Sequence, residues 1–339
     1  MLIGLLLFAG LSVTIVIHEA GHFFVAKYFG LKVEEFGFGF PPRIFAKKYG
    51  ETEYSLNWLP FGGFVKILGE DREEAEADSK RSFASQGKFV RAAVVGAGVV
   101  MNFLLGWLLI SLIYMIGTSQ AVVISEVRPN SPAAQAGVVQ GDIILRFPTT
   151  GEFINYVNAH RGEEILFEVM RNKETQEIHA TPRVNPNPGE GALGIGLVDA
   201  GTPRKGFFRS FYEGFFTALS LMWFVVLSLY GLLKTLLLGG PGLGAVMGPI
   251  GIFGVAEQVG QLGLLYVVQL VALISLNLAV MNVLPLPALD GGRLFFLALE
   301  KIGGRPLPRR FERGANAIGF MVLLLLMIVI TAQDIGRLL

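Results

Sequence analysis

Cysteine is absent from the 339 residues of the chain, which excludes disulfide bridges and thiolate metal ligands. Any metal ion must therefore be held by His, Asp or Glu. Charge is also scarce: 16% of the residues are charged, and the formal net charge of +1 gives no indication of a nucleic-acid partner. The hydrophobic fraction of 52% instead indicates a membrane protein with several spans.

Five uncharged stretches are long enough to cross a membrane, which takes about 20 mostly apolar residues. The first has no basic residue before Lys27 and no small-residue cleavage site before His18, so we expect a retained span and not a signal peptide. The five stretches are residues 1–17, 92–125, 214–233, 258–289 and 314–333; the first apolar run continues to about Ala26, and the second ends near Gly117.

A polar segment, residues 119–207, separates two membrane halves, residues 1–118 and 208–339. It alternates strand-like runs with turn residues and includes a short helical stretch, which is typical of a small α+β domain. The predicted fold is a polytopic α-helical membrane protein of about four spans with this domain inserted.

Lys and Arg are concentrated in two loops. Residues 27–91 hold 11 of the 28 and residues 291–315 hold 6 more, which predicts that both loops are cytoplasmic. Met1 and the 119–207 domain then lie on the extracytoplasmic side. The 258–289 span must start outside if it is to end beside the cytoplasmic loop 291–315. Residues 209–238, which follow the outer domain, must therefore begin and end on the outer side, so we expect this stretch to lie on the membrane or to re-enter it.

Two histidines and a glutamate stand at the end of the first apolar run, in "HEAGH". Helical residues four apart share a face, so His18 and His22 can bind one metal ion, with Glu19 one step round the helix. Zinc suits this set, because a catalytic zinc ion takes three protein ligands and keeps a position open for water. Helix packing is the alternative role for the histidines.

Asp290 is the predicted third ligand. It is the only acid between Glu257 and Glu300, and it ends a span that runs in the same direction as the first. Pro285 and Pro287 should break the helix just before it. A helix-capping role at the membrane interface is the alternative for this carboxylate.

Amides in apolar spans and a glycine-rich hairpin are candidates for binding a substrate. The amides form either interhelical hydrogen bonds or substrate contacts, and Asn282 is the best placed for the latter. The hairpin around "GGFVKIL" could add a substrate strand to its edge. The substrate-binding candidates are Asn102, Asn277, Asn282, Pro285, Pro287, Gly62, Gly63 and Phe64.

Together these residues predict hydrolysis of a peptide bond. Zinc lowers the pKa of a water that it holds toward about 7, and Glu19 would take the proton and pass it to the leaving amine. Because the site lies below the membrane surface, the expected substrate is a transmembrane segment that unwinds locally.

Five motifs, in this order, resemble those of the bacterial site-2 proteases, the intramembrane zinc metalloproteases of regulated intramembrane proteolysis. The resemblance covers nearly the whole chain and is to the branch with an extracytoplasmic PDZ domain. It implies Zn²⁺ as cofactor, His18, His22 and Asp290 as its ligands, and Glu19 as the catalytic acid. The motifs are "HEAGH", "FGFG" at 36–39, "GGFVK" at 62–66, "RAAVVGAGVVMNF" at 91–103 and "NVLPLPALDGG" at 282–292.

The resemblance also implies location and partners. It places the chain in the bacterial inner (cytoplasmic) membrane with the active site toward the cytoplasm. Members of this family cut the membrane anchors of anti-sigma factors, and sometimes remnant signal peptides, after another protease has trimmed the outer domain. The expected partners are therefore pre-cleaved single-span proteins and the lipid bilayer.

The chain departs from the family pattern at two places. Gly98–Val99 stands where the family usually has Gly-Pro, so we expect a weaker bend in the second span. In the PDZ-like domain "RFPTTGEF" replaces the usual "NG" turn. We expect this domain to act mainly as a size filter that excludes bulky outer domains; the alternatives are peptide binding and a simple spacer.

Two other functions explain parts of the sequence. A membrane-anchored scaffold with a structural zinc ion would have no use for Glu19 beside the ligands. A metal transporter would need polar residues along both halves of a path, whereas residues 1–17 hold almost none.

Overall fold

The computed structural model describes residues 2–70, 80–118, 120–171, 174–186, 189–238, 247–261, 263–305 and 307–338. The helices are α1 (Leu2–Tyr28), α2 (Lys88–Ile116), α3 (Pro132–Gln135), α4 (Thr150–Ala159), α5 (Phe207–Leu237), α6 (Pro249–Gln261), α7 (Leu264–Val283), α8 (Asp290–Gly303) and α9 (Arg309–Leu338). The strands are β1 (Val33–Tyr49), β2 (Thr52–Ile67), β3 (Ala121–Val127), β4 (Ile143–Ile144), β5 (Ile165–Arg171), β6 (Glu174–Ala180) and β7 (Ile195–Ala200).

Two compact units contain these elements. The membrane unit comprises Met1–Ser111 and Phe211–Leu339, and the inserted unit comprises Leu112–Ser210. Five helices are long and apolar enough to cross a membrane: α1, α2, α5, α7 and most of α9. The chain is therefore a polytopic α-helical membrane protein.

The structure refines the sequence prediction at two stretches. Helix α5 runs without interruption for 31 residues, which favours the interfacial over the re-entrant form of the two predicted for residues 209–238. The apolar stretch 258–289 is divided between α6 and α7 at Gly263, whose φ of 129° is accessible to glycine but not to a helical residue. Helix α7 alone has 20 residues, which is about the length that a bilayer requires.

Strands β1 and β2 are long, and each bends back to pair twice. Residues 43–49 pair antiparallel with 52–57, and residues 33–38 pair antiparallel with 63–67, whereas residues 35–38 and 53–56 lie side by side in parallel register. The result is a four-segment sheet. Residues 63–67, called the edge segment below, form one edge, because within the described residues they pair on one side only.

A buried cluster holds this sheet against the end of α1 and the start of α2. The hydroxyl of Thr52 adds a hydrogen bond to the carbonyl of Val33 at 2.8 Å. The packing therefore fixes the edge segment relative to the two helices. The buried side chains of the cluster are Ala26, Leu31, Val33, Ile67, Phe83, Val94 and Val95.

The inserted unit is a five-stranded antiparallel sheet of order β6-β5-β4-β3-β7, with α3 and α4 packed on its core. Its two ends are tied together. The N–H of Thr118 donates to the carbonyl of Thr202 at 2.9 Å, and the N–H of Thr202 donates to the Thr118 hydroxyl at 2.7 Å. The chain thus begins and ends the insertion at one place.

Candidate functional site

His18 and His22 lie one turn apart on α1. Their rings meet edge to face with centroids 4.8 Å apart, and their Nε2 atoms are 3.2 Å apart. Since one helix supplies both side chains, its pitch alone fixes their spacing.

Asp290 begins α8, and the backbone before it is not helical. Helix α7 ends before Leu284, which has φ −60° and ψ 141°. Pro285 and Pro287 explain the break, because neither has an N–H to continue a helix. Ala288 has a φ of 74°, so the backbone changes direction two residues before the carboxylate.

The three predicted ligands converge. Asp290 Oδ2 lies 3.1 Å from His18 Nε2 and 3.4 Å from His22 Nε2. A point equidistant from these three atoms lies about 1.9 Å from each, close to the roughly 2.0–2.2 Å of zinc bonds to imidazole and carboxylate. Asp290 Oδ2 is buried and has no well-formed hydrogen bond to any described residue. Two imidazoles and one carboxylate in this arrangement fit a zinc ion.

A backbone carbonyl orients His22. Its Nδ1 lies 2.8 Å from the carbonyl oxygen of Val94 on α2. Because a carbonyl only accepts, Nδ1 must carry the proton there, which leaves the lone pair on Nε2. This is the usual support for a metal-binding imidazole.

Asn102 supports His18 in a similar way. Its side chain is 1% exposed, its Nδ2 lies 3.3 Å from His18 Nδ1, and its Oδ1 has no hydrogen-bond partner among the described residues. A 180° turn of the carboxamide lets Oδ1 accept from the Nδ1–H of His18, which satisfies both groups. The sequence makes Asn102 a candidate for interhelical hydrogen bonding or for substrate contact, and the structure places it beside a predicted ligand.

Gly98 allows α2 to approach both imidazoles. A Cβ at this position would lie 2.5 Å from His22 Nε2 and 2.6 Å from His18 Cε1. Helix α2 is continuous here, with Val99 in place of the family's proline.

The three converging residues and Glu19 line a cavity of 420 Å³. Gly63 brings the edge segment close to this glutamate, because a Cβ there would lie 3.0 Å from Glu19 Cγ. The lining residues are His18, Glu19, His22, Phe40, Gly63, Phe64, Val65, Ile67, Glu70, Phe83, Val94, Val95, Ala288, Leu289, Asp290 and Arg293.

The other predicted substrate-binding residues are not among those that line the cavity. Asn277 is exposed on α7 and Asn282 is half-buried near its end. Pro285 and Pro287 shape the connection to Asp290. The remaining candidate, Gly62, has a φ of 106° and turns the chain into the edge segment.

Two charged residues of the cavity were missed by sequence analysis. Arg293 lies three residues after Asp290, a spacing that could have placed it on the same helical face. Glu70 follows the edge segment, and no local pattern in the sequence reveals that it meets Arg293.

The chain is similar to known peptidases over nearly its whole length. The family model "Peptidase family M50" matches residues 6–326. A provisionally named zinc metalloprotease of Clostridium perfringens is 36% identical over 331 residues, 96% of each chain. Zinc metalloprotease RasP of Geobacillus kaustophilus is 30% identical over 407 residues, 94% of each chain. Regulator of sigma-W protease RasP of Bacillus subtilis is 28% identical over 410 residues, 95% of each chain.

These relatives are bacterial and carry the names of zinc metalloproteases or of a sigma-regulating protease. The family model covers far more than half of the chain. The chain therefore belongs to peptidase family M50, and it is a bacterial membrane zinc metalloendopeptidase of the site-2 protease type.

Proposed function

We propose that this peptidase hydrolyses peptide bonds within or near transmembrane segments, with His18, His22 and Asp290 as zinc ligands and Glu19 as general base and acid. The convergence of the three ligand atoms in the cavity that Glu19 lines is the observation that carries the proposal.

When bound, zinc supplies a Lewis acid for the scissile carbonyl and a water that loses a proton near neutral pH. The Glu19 carboxylate accepts this proton and later donates it to the leaving nitrogen. Val94 and Asn102 keep the two imidazoles oriented, because each engages an Nδ1 atom and leaves Nε2 for the metal.

The edge segment holds the substrate. The carbonyls of a transmembrane helix are hydrogen-bonded, so the helix must unwind before attack, and the unwound backbone needs new partners. Gly63, Phe64, Val65 and Ile67 line the cavity, and their segment pairs on one side only within the described residues, which supports addition of a substrate strand. The close approach of Gly63 to Glu19 brings such a strand to the base.

The proposed substrates are single-span membrane proteins, such as anti-sigma factors or remnant signal peptides, after another protease has trimmed them. Two observations support this class. The polar site belongs partly to α1, an apolar helix long enough to cross a membrane. One relative bears the name of a regulator of sigma-W.

The domain organisation is proposed as residues 1–118, residues 119–207 and residues 208–339. The middle domain is a PDZ-like domain on the extracytoplasmic side of the inner membrane, where it acts mainly as a size filter. Its small antiparallel sheet with two helices is compatible with that assignment.

Four helices cross the membrane in the proposed topology, and α5 lies along the extracytoplasmic surface of the membrane. Helix α6 supports this, because its ends contact the parts of the chain that the charge distribution places outside. The N–H of Gly251 donates to Asp334 near the end of α9 at 2.8 Å, and a Cβ at Gly260 would lie 2.6 Å from Ile3. Helix α6 therefore lies on the outer side, so α5, which precedes it, ends on the same side as it begins.

The decisive experiment compares wild type with Glu19→Gln, both purified and loaded with zinc, on a single-span substrate without its outer domain. We expect wild type to cut within the span and the variant to bind zinc equally without cutting. Equal cleavage by the variant would refute the role of Glu19. Zinc binding without cleavage by either protein would contradict the proposed substrate class.

A further inference from the structure

Glu70 and Arg293 line the cavity, yet the zinc chemistry gives them no task. They form an ion pair, in which the side chain of Glu70 is 19% exposed and that of Arg293 is 47% exposed. Arg293 is the single lysine or arginine among the described residues that line this cavity.

This ion pair connects the edge segment to the helix that carries Asp290. The N–H of Glu70 donates to the carbonyl of Ile67 at 3.1 Å, and the Glu70 carboxylate lies 3.4 Å from the N–H of Ile67. Glu70 is thus fixed to the last residue of the edge segment. Arg293 lies on α8, three residues after Asp290, and so on the same side of the helix.

Solvent screens a pair that is exposed to this degree, so it contributes little to global stability. Its position has a larger consequence. Hydrolysis requires the scissile carbonyl, held on the edge segment, to meet groups held by α1 and α8. Enzymes are sensitive to this distance, because a misplacement of about 1 Å can lower the rate by roughly 100-fold.

We propose that Glu70 and Arg293 are positioning residues that fix the gap between the edge segment and α8. The inference rests on the proposed function, since it requires the substrate to bind along the edge segment. With the pair intact, a strand on this edge presents its carbonyl to Glu19 and the metal ligands. Without the pair, the edge segment moves relative to Asp290, and fewer bound strands reach the attack geometry.

The test measures kcat, KM and zinc affinity for three variants: Glu70→Gln, Arg293→Gln and the charge-swapped double variant Glu70→Arg with Arg293→Glu. The substrate is a single-span polypeptide with a short outer tail, in detergent micelles with the full-length zinc-loaded protein. We expect each single variant to lower kcat by about tenfold, with KM changed less than about twofold and zinc affinity unchanged. The swapped pair should recover most of the loss.

Glu34→Gln is the matched control. Glu34 pairs with Lys66 of the same edge segment at 3.1 Å, with side-chain exposures of 25% and 49%, but this ion pair does not reach α8. We expect kcat to remain within about twofold of wild type, because a screened pair inside the sheet does not set the gap.

Three results would overturn the inference: single variants as fast as wild type, a swapped variant no faster than the singles, or an equal loss in Glu34→Gln. A loss of zinc binding in the single variants would also overturn it, because the pair would then act on the metal site. Failure of the proposed function is distinguishable, since wild type itself would then not cut the substrate.

Discussion

Gly98 is a position where one methyl group should disturb the metal site. An alanine Cβ would lie 2.5 Å from His22 Nε2, closer than any unstrained contact. We expect Gly98→Ala to displace the imidazoles and to weaken zinc binding by about 10- to 100-fold, as loss of support around a metal site commonly does. Competition with a chromophoric chelator measures the change.

Gly96→Ala is the control for this substitution. It lies on the same helix, and a Cβ there has no neighbour within 4 Å. Alanine should keep zinc affinity and stabilise the helix by up to about 1 kcal/mol. Equal weakening by both variants would assign the effect to α2 in general and not to the contact at Gly98.

Asn102 offers a test of which atom faces His18. If Oδ1 accepts from the Nδ1–H, then Asn102→Asp keeps an acceptor and should retain zinc binding. Asn102→Leu removes the acceptor and should weaken binding by about 10- to 100-fold. Chelator competition on both variants measures this, and a stronger loss in the aspartate variant would show that the amide donates.

At the scale of single residues, sequence patterns indicate the candidate metal ligands and Glu19 more clearly than they indicate the residues that orient them. His18, His22, Glu19 and Asp290 stand in local patterns whose spacing has a chemical meaning, and the structure brings these four residues to one cavity. The contact of Val94 is made by a backbone carbonyl of another helix. No residue type encodes such a contact, so sequence reasoning had no signal for it.

At the scale of elements, α8 is anchored to α2 at the end remote from Asp290. Glu300, 2% exposed, accepts from Arg91 Nη1 at 3.1 Å and from the N–H of Leu307 at 3.2 Å. Lys88 donates to the carbonyl of Glu300 at 2.8 Å. The end of α8 remote from Asp290 is therefore held against the start of α2.

Glu300→Gln should destabilise the membrane unit by about 3 kcal/mol, because it removes a buried carboxylate from its ion pair with Arg91, whose side chain is 13% exposed. Thermal unfolding of the solubilised protein measures the change. Glu53→Gln is the control, since Glu53 pairs with Arg43 at exposures of 38% and 46% and should cost at most about 1 kcal/mol. Similar shifts for the two variants would contradict the importance of burial.

The helix break before Asp290 was predictable, because two prolines act on the backbone within a few residues. The division between α6 and α7 was not predicted. Residues 258–289 are apolar throughout, and hydrophobicity alone does not reveal that Gly263 adopts a φ of 129°. The double pairing of β1 and β2 was missed for a similar reason, since pairing between distant segments leaves no local pattern.

At the scale of the whole molecule, the absence of cysteine permits a direct test of topology. Leu238, 76% exposed at the end of α5, replaced by cysteine should react with a membrane-impermeant maleimide from outside the cell. Asn155→Cys in the inserted unit should react likewise, and Lys47→Cys should react only after permeabilisation. If Leu238→Cys required permeabilisation, α5 would cross the membrane.

Removal of the inserted unit tests its proposed role as a size filter. Because Thr118 and Thr202 are hydrogen-bonded to each other, a short Gly-Ser linker can replace residues 119–201. We expect the shortened protein to bind zinc, to cut trimmed substrates as before and to cut untrimmed substrates as well. Persistent discrimination against untrimmed substrates, measured by gel assay, would contradict the filter.

The hydrogen bonds between Thr118 and Thr202 also bear on how such proteins diversify. The alignments with the two RasP relatives extend over 407 and 410 positions, more than the 339 residues of this chain. An insertion that begins and ends at one point can gain, lose or exchange sequence without changing the register of α1, α2 or α8. Sequence change in the inserted unit is therefore compatible with unchanged positions of the residues on α1 and α8 that converge on the cavity.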